Sequence, residues 1–266
     1  MRYSNIHTHT SYSDGKGSIR ENVESAISKN MLSLGISDHS YTECDTSYCM
    51  KLSDYDKYIN EVNSIKKEYM DKIPVFLGIE KDYFSEIDTD AFDYVIGSVH
   101  YITKNGEYYP IDYSERKQRE CISDAFGNDV LDMAKCYYSM VAEHTMLAKP
   151  NVVGHFDVLN KFSIMPEHDD RYIRIATEAM TECVKYCSHF ELNTGGIARG
   201  WRKTPYPNEY LLKHLLSIGG EVVISSDSHS PENLDFGFWG CVELLRKVGF
   251  EHFCVWCGSG FEKIKI

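Results

Sequence analysis

Short apolar runs of strand length recur along the chain, and stretches with the period of an amphipathic helix separate them. The runs predict strands over residues 4–7, 33–37, 75–79, 94–99, 152–154, 190–193, 221–225 and 253–256. Helical periodicity covers 18–29, 53–70, 130–148, 170–188, 207–218 and 232–248. Ser18 followed by Glu21 has the spacing of a capping box, Ser53-Asp54 begins the next helix, and Gly219-Gly220 supplies a helix-ending turn. Residues 103–129 are polar and less periodic, which predicts a long loop or short insertion over one end of the fold. Strands alternating with helices imply βαβ units and a mostly parallel sheet, so the expected class is α/β.

Length and composition narrow this. A chain of 266 residues with 42% hydrophobic and 26% charged positions can bury a sizeable core and is not disordered in character. No linker or repeat divides it, so one domain over residues 1–266 is expected. The formal charge of −12 argues against a general nucleic-acid binder but not against a small phosphorylated substrate, because bound cations reverse the sign locally. No apolar run reaches membrane-spanning length and the first residues lack a signal-peptide core, so no membrane association and a cytoplasmic location are expected. Nine cysteines without framework spacing fit reduced thiols. Cys183, Cys187 and the Cys254-Val255-Trp256-Cys257 pair read as core packing.

Chemistry enters at the strand ends. His7-Thr8-His9 closes the first apolar run and Asp227-Ser228-His229 a late one. In extended backbone, residues i and i+2 face the same way, so each pair offers two ligand atoms side by side. Asp38-His39, Glu80, His100, and His155 with Asp157 follow four other runs, and Asp14 precedes a glycine. In a (β/α) barrel these ends converge on the catalytic face. A lone histidine at a strand end is commonly a hydrogen-bonded packing residue, but six of the eleven histidines stand at such ends. His144, His168, His214 and His252 fall in helices or at their edges and read as packing or surface residues. His189 starts its strand and is assigned a structural role.

The metal candidates are therefore His7, His9, Asp14, His39, Glu80, His100, His155, Asp227 and His229, although Asp14 also suits an ordinary Asp-Gly turn. Nine ligands exceed what one zinc takes and suit two or three divalent ions, with Glu80 and Asp227 as bridging groups. Mixed imidazole and carboxylate donors fit Zn, Mn or Fe, and Mg is a further candidate. After the sixth run, Asn193-Thr194-Gly195-Gly196 leads to Arg199. A glycine-rich turn lets backbone approach an anion and Arg199 can grip phosphate, so Asn193, Gly195, Gly196 and Arg199 are the substrate-binding candidates. Arg202 and Lys203 are expected to be solvated or secondary contacts.

The ordered set His-x-His, Asp-Gly, Asp-His, Gly-x-Glu, Ser-Val-His, Gly-His-x-Asp and Ser-Asp-x-His, running from His7 to His229, resembles the PHP (polymerase and histidinol phosphatase) family. With Asn193-Thr194-Gly195-Gly196 and Arg199, the chain is most similar to its stand-alone histidinol-phosphatase branch. The resemblance implies a distorted (β/α)7 TIM-like barrel and a trinuclear site. It puts His7, His9, Glu80 and Asp227 on one metal, Glu80, His100 and His155 on a second, and Asp14, His39 and His229 on a third. It also implies hydrolysis of a phosphomonoester, L-histidinol phosphate, with Asp227, Glu80 and Arg199 carrying the reaction. Glu43, Asp45 and Asp82 are acidic candidates for its cationic leaving group, or solvated loop charges.

Rival readings are a phosphoesterase of the same family acting on nucleotide monophosphates, oligonucleotides or phosphotyrosine, an amidohydrolase, and a non-enzymatic metal-binding module. An amidohydrolase would need a metal-bridging lysine, and Lys81 points away from Glu80's face.

Overall fold

The computed structural model describes residues 2–266. Its first half contains β1 (Ser4–Asn5), α1 (Ile19–Ser28), β2 (Ser33–Ile36), α2 (Tyr55–Glu68), β3 (Val75–Asp82), β4 (Tyr94–Ser98), β5 (Tyr101–Lys104), β6 (Glu107–Pro110) and α3 (Glu115–Phe126). The second half contains α4 (Val130–Ala148), β7 (Val152–Val153), α5 (Asp170–Val184), β8 (His189–Asn193), α6 (Gly195–Ala198), α7 (Glu209–Ser217), β9 (Glu221–Ser225), α8 (Phe238–Val248), β10 (His252–Trp256) and β11 (Phe261–Lys265). The main sheet runs β1-β2-β3-β4-β7-β8-β9-β10-β11, parallel until β11 turns back on β10.

The sheet closes on itself. Thr8 bridges Ser228 in parallel, with His9 N donating to Ser228 O at 2.8 Å and Ser228 N donating to His7 O at 3.2 Å. Seven strands, β1 to β4 and β7 to β9, therefore form the ring that the family resemblance implied. The distortion has a visible cause: β9 splits its outer edge, pairing β10 at Val223 and meeting the β1 segment only beyond its own end. Strand β10 thus sits beside both β9 and β1 at the amino end of the barrel.

The barrel interior is packed. Ile6, Phe76, Tyr94, Ile96, Val152, Val223, Cys254 and Trp256 form a cluster separate from the larger layer between sheet and helices. Tyr94 crosses this interior and donates its hydroxyl to Ile6 O at 2.5 Å. Gly35 and Gly78 make room for it, since a Cβ at either would lie 2.1 Å from the Tyr94 side chain. This layer plugs the lower barrel and leaves the carboxyl ends open for chemistry.

Helix α1 has the capping box expected of Ser18 and Glu21. Helix α2 departs from expectation: a 3-10 turn over Leu52–Asp54 precedes it, and no side chain caps it. The segment 103–129 is not a loop. It holds most of the β5–β6 hairpin and all of α3, and it closes in Gly127 in the left-handed region. The missed signal was Asn105-Gly106, whose φ values of 55° and 83° make the tight hairpin turn that this dipeptide favours. Helix α5 ends at Val184, four residues early, and α8 begins only at Phe238, after a 3-10 turn at Pro231–Asn233. Strand β11 was not expected at all. Cys254 is buried as expected, whereas Cys257 is exposed and does not pack in the core. Among the described residues no helix is long and apolar enough to cross a membrane.

Candidate metal centre

All nine candidate ligands meet at the carboxyl end of the ring. His7 and His9 follow β1, His39 follows β2, His100 follows β4, His155 follows β7, and Asp227 and His229 follow β9. Glu80 lies inside β3, which runs two residues beyond it, and a parallel bridge couples it to His39. Asp14 comes from the turn after His9. Gly15 is obligatory in that turn, because a Cβ there would lie 2.4 Å from the His9 carbonyl carbon. Buried Asp38 braces the same turn, accepting from Thr10 N (2.8 Å), Ser13 N (3.1 Å) and both hydroxyls. Asp227 adopts φ 48°, a left-handed conformation that aspartate tolerates and that turns its carboxylate inward.

Three groups of atoms converge. In the first, His7 Nε2 lies 3.2 Å from Glu80 Oε2, and His9 Nε2 lies 3.1 Å from Asp227 Oδ1. The cross distances are 3.8 Å (His7–Asp227) and 3.7 Å (His9–Glu80). Four donors held at about 2.0–2.2 Å in a tetrahedron are roughly 3.3–3.6 Å apart, so this set has the dimensions of a cation cage. In the second group, Glu80 Oε1 is 3.1 Å from His155 Nε2 and 3.5 Å from His100 Nε2, with the two imidazole nitrogens 3.2 Å apart. In the third, Asp14 is 3.2 Å from His229 Nε2 and 3.6 Å from His39 Nε2. The groups overlap more than the resemblance implied. His9 Nδ1 reaches toward Asp14 at 4.0 Å, and His39 Nδ1 lies 2.7 Å from Glu80 Oε2.

The polar bookkeeping within the cluster is incomplete without cations. His7 Nε2, His9 Nδ1 and His155 Nδ1 are buried with no hydrogen-bond partner. Each such orphan costs about 1–3 kcal/mol, and the first two point among the converging donors. The donor set fits divalent metal: imidazole and carboxylate at ligand spacing, buried except for Asp14, which is exposed, and His229, which is partly so.

Electrostatics agree. Burial disfavours the Glu80 carboxylate, but His39, His7 and His100 outweigh it and hold the group well below its usual range. Asp227 is held down likewise, against burial, by Arg199 and His7. Burial, reinforced by His39 and His229, drives the His9 imidazole down to about 3. The carboxylates are therefore ionised and His9 neutral at pH 7, whereas, against burial, the same carboxylates hold His7, His39 and His100 above the usual imidazole range, His100 at about 10, so a cation binding there displaces protons.

The cluster opens into a cavity of about 460 Å³. Arg199 stands on its wall, Nη2 donating to Asp227 Oδ2 at 2.8 Å and Nη1 to His229 Nδ1 at 2.9 Å. Gly195 also lines the cavity and makes this pair possible, since a Cβ would lie 2.8 Å from Arg199 Nη2. The segment 195–198 is one helical turn, α6, not an open loop. Asn193 is wholly buried, accepting from Gly195 N (2.8 Å) and donating to Glu191 (3.1 Å), and Gly196 backs onto the Tyr206 ring. Both lie behind the wall that Gly195 and Arg199 present.

The opposite wall was not anticipated in full. Asp45, Tyr48, Tyr101 and Asp112 line it, with Tyr101 donating to Asp45 at 2.6 Å and Lys161 paired to Asp112 at 3.2 Å. Asp112 lies in the segment read as a loop, which concealed it. Asp82 faces away from the cavity and accepts from His100 Nδ1 at 3.0 Å, and Glu43 is exposed. Arg202 is buried against Glu167 and the Asn160 carbonyl. Lys81 leaves the cluster, as expected, and bonds Ile87 O. Outside the cluster, His144, His214 and His252 make hydrogen bonds with Lys81 O, Thr181 Oγ1 and Glu221 Oε2, and His189 stacks on Phe261 with centroids 3.8 Å apart.

A parallel seven-stranded barrel with ionised carboxylates and imidazoles gathered at its carboxyl face has the architecture of a metal-dependent barrel hydrolase. The PHP domain model matches residues 5–195, and the chain belongs to that family. Curated relatives include a "Probable histidinol-phosphatase" of Schizosaccharomyces pombe, 25% identical over 90% of this chain and 84% of its own length. One of the same name from Deinococcus radiodurans is 28% identical over 88% of each chain. Among solved structures, the Lactococcus lactis histidinol phosphate phosphatase complexed with zinc, L-histidinol and phosphate superimposes with a TM-score of 0.72. It is 20% identical and covers 98% of this chain and 99% of that one.

Proposed function

We propose that this chain hydrolyses L-histidinol phosphate to L-histidinol and phosphate in histidine biosynthesis, as a single-domain, metal-dependent cytoplasmic enzyme. The observation that carries the reading is the convergence of nine candidate ligands in one cluster, six of which line a single cavity together with Arg199. The names of the curated relatives, spanning most of their length, supply the substrate. Nine free cysteines fit a reducing compartment.

His7, His9, Glu80 and Asp227 would hold one ion, Glu80, His100 and His155 another, and Asp14, His39 and His229 a third, the ions being Zn, Mn or Fe, or else Mg. When bound, they supply Lewis-acid polarisation of the phosphoryl group and a lowered pKa for the attacking water. Arg199, fixed by Asp227, presents its remaining N–H groups to the phosphoryl oxygens and stabilises charge that grows on them. Glu80 keeps a rigid, ionised bridge between two donor groups, because its carboxylate is buried among four imidazoles. Asp45 and Asp112, with the faces of Tyr48 and Tyr101, offer the ammonium and imidazole of histidinol an acidic, aromatic wall.

The test is a comparison of kcat/KM for histidinol phosphate against nucleotide monophosphates and phosphotyrosine, with each metal added in turn. Preference for histidinol phosphate by roughly a hundredfold is expected from two charge-assisted contacts. Equal or greater activity on a nucleotide or phosphotyrosine would transfer the assignment to that substrate. Asp112→Asn should raise KM for histidinol phosphate about tenfold and leave KM for an uncharged alkyl phosphate unchanged.

A further inference from the structure

Glu191 sits in the middle of β8, wholly buried, in the apolar run Phe190-Glu191-Leu192. A carboxylate in such a place must be fully partnered. Its partners are unusual in where they lead. Oε1 lies 2.6 Å from His7 Nδ1, and Oε2 accepts from the backbone N of His155 at 2.8 Å and from Asn193 Nδ2 at 3.1 Å. One side chain thus joins the first candidate ligand of the chain to the ligand after β7, across the interior of the barrel.

We infer that Glu191 is a positioning residue that sets the His7 tautomer and ties two metal-binding groups into one rigid unit; the inference rests on the metal reading proposed above. An ionised carboxylate only accepts, so His7 must present Nδ1–H to it, which leaves the lone pair of His7 Nε2 directed at Glu80 and Asp227. The backbone N–H of His155 and the amide of Asn193 are donors too. Three donors converge on one group, and only a carboxylate satisfies them all. Glutamine has one acceptor oxygen and would turn an N–H toward at least one of the donors. Aspartate keeps the charge but cannot span both His7 and His155.

Asp82 makes a useful contrast. It performs the same service for His100 alone, accepting from its Nδ1 at 3.0 Å and its backbone N at 3.2 Å. Glu191 variants should therefore loosen two ions, whereas an Asp82 variant loosens one.

The experiment measures metal affinity, not turnover. Zinc-loaded wild type, E191Q, E191D and D82N are titrated with a chromophoric chelator, and retained zinc is counted at each step. In E191Q and E191D, two zinc ions should dissociate at chelator activities roughly 10- to 100-fold lower than in wild type, and the remaining ion at an unchanged one. In D82N only one ion should be weakened. Nitrogen NMR of the zinc-loaded protein should show a strongly hydrogen-bonded His7 Nδ1–H in wild type that is lost or shifted in E191Q. A folded E191Q or E191D that retains every ion with wild-type affinity overturns the inference, as does a uniform loss across all ions. Should E191Q fail to fold, E191D decides, since it preserves the buried charge. A wild-type chain that retains no divalent ion would instead overturn the metal reading, and this inference with it.

Discussion

At the scale of single residues, Asp227 does the most. It faces His7 and His9 with Oδ1, holds Arg199 with Oδ2, and needs a left-handed backbone to do both. Asparagine tolerates that conformation as well, so Asp227→Asn should fold. It loses the charge that ligation and Arg199 both use, and kcat/KM for the phosphate ester should fall by roughly 10²-fold or more. Near-wild-type turnover by a metal-loaded variant would remove Asp227 from the site. Asp157, two residues past His155, illustrates a different constraint. Burial pushes its carboxyl up to about 6, with nearby Arg202 opposing only in part. The folded state then binds more protons than the unfolded state between about pH 4 and 6, so stability falls as pH rises through that window. Asp157→Asn removes this dependence. The melting temperature of the variant, taken relative to wild type, should shift upward between pH 4 and pH 7; a constant difference would refute the assignment.

At the scale of elements, close approach decides where residues of particular size stand. Tyr94 of β4 lies over Gly35 of β2 and Gly78 of β3, and its hydroxyl reaches Ile6 O. Gly78→Ala would drive a methyl group into the ring and displace the plug beneath the metal centre. The cost should be about 1–3 kcal/mol, read as a fall of several degrees in melting temperature. Tyr94→Leu in the same chain should recover part of the loss, because it removes the ring that clashes. Helical and strand periods were legible for the long amphipathic segments and the apolar runs, since burial on one face leaves a trace in residue order. The hairpin β5–β6 was missed because its alternation is weak: Glu107 and Tyr108 are exposed and face no core. Its Asn105-Gly106 turn was the one local signal available.

At the scale of the whole molecule, the candidate metal centre joins residues from position 7 to position 229, and cations bound there should hold the barrel closed. The β1 and β9 ends meet through Thr8 and Ser228, flanked on both sides by candidate ligands. Chelation should therefore lower the melting temperature by about 5–10 °C for each ion bound at a hundredfold excess over its Kd, reversibly on adding metal back. An unchanged melt after complete removal would show that closure rests on strand pairing alone.

Residue order by itself marked the nine side chains that the fold gathers into one cluster, because a histidine or carboxylate at the end of an apolar run is costly unless it is partnered. It also determined the α/β class, through the alternation of the two periods. Only the tertiary structure decided how the ligands share themselves, with His9 and His39 each reaching two groups, since a side-chain rotamer is chosen by its neighbours in space. The same holds for the supporting residues. Glu191 and Asp112 look like a stray charge in a strand and an ordinary loop acid until barrel closure brings His7 and Lys161 within 2.6 and 3.2 Å of them. Contacts between strands far apart in sequence leave no period to read, and this site is made of such contacts.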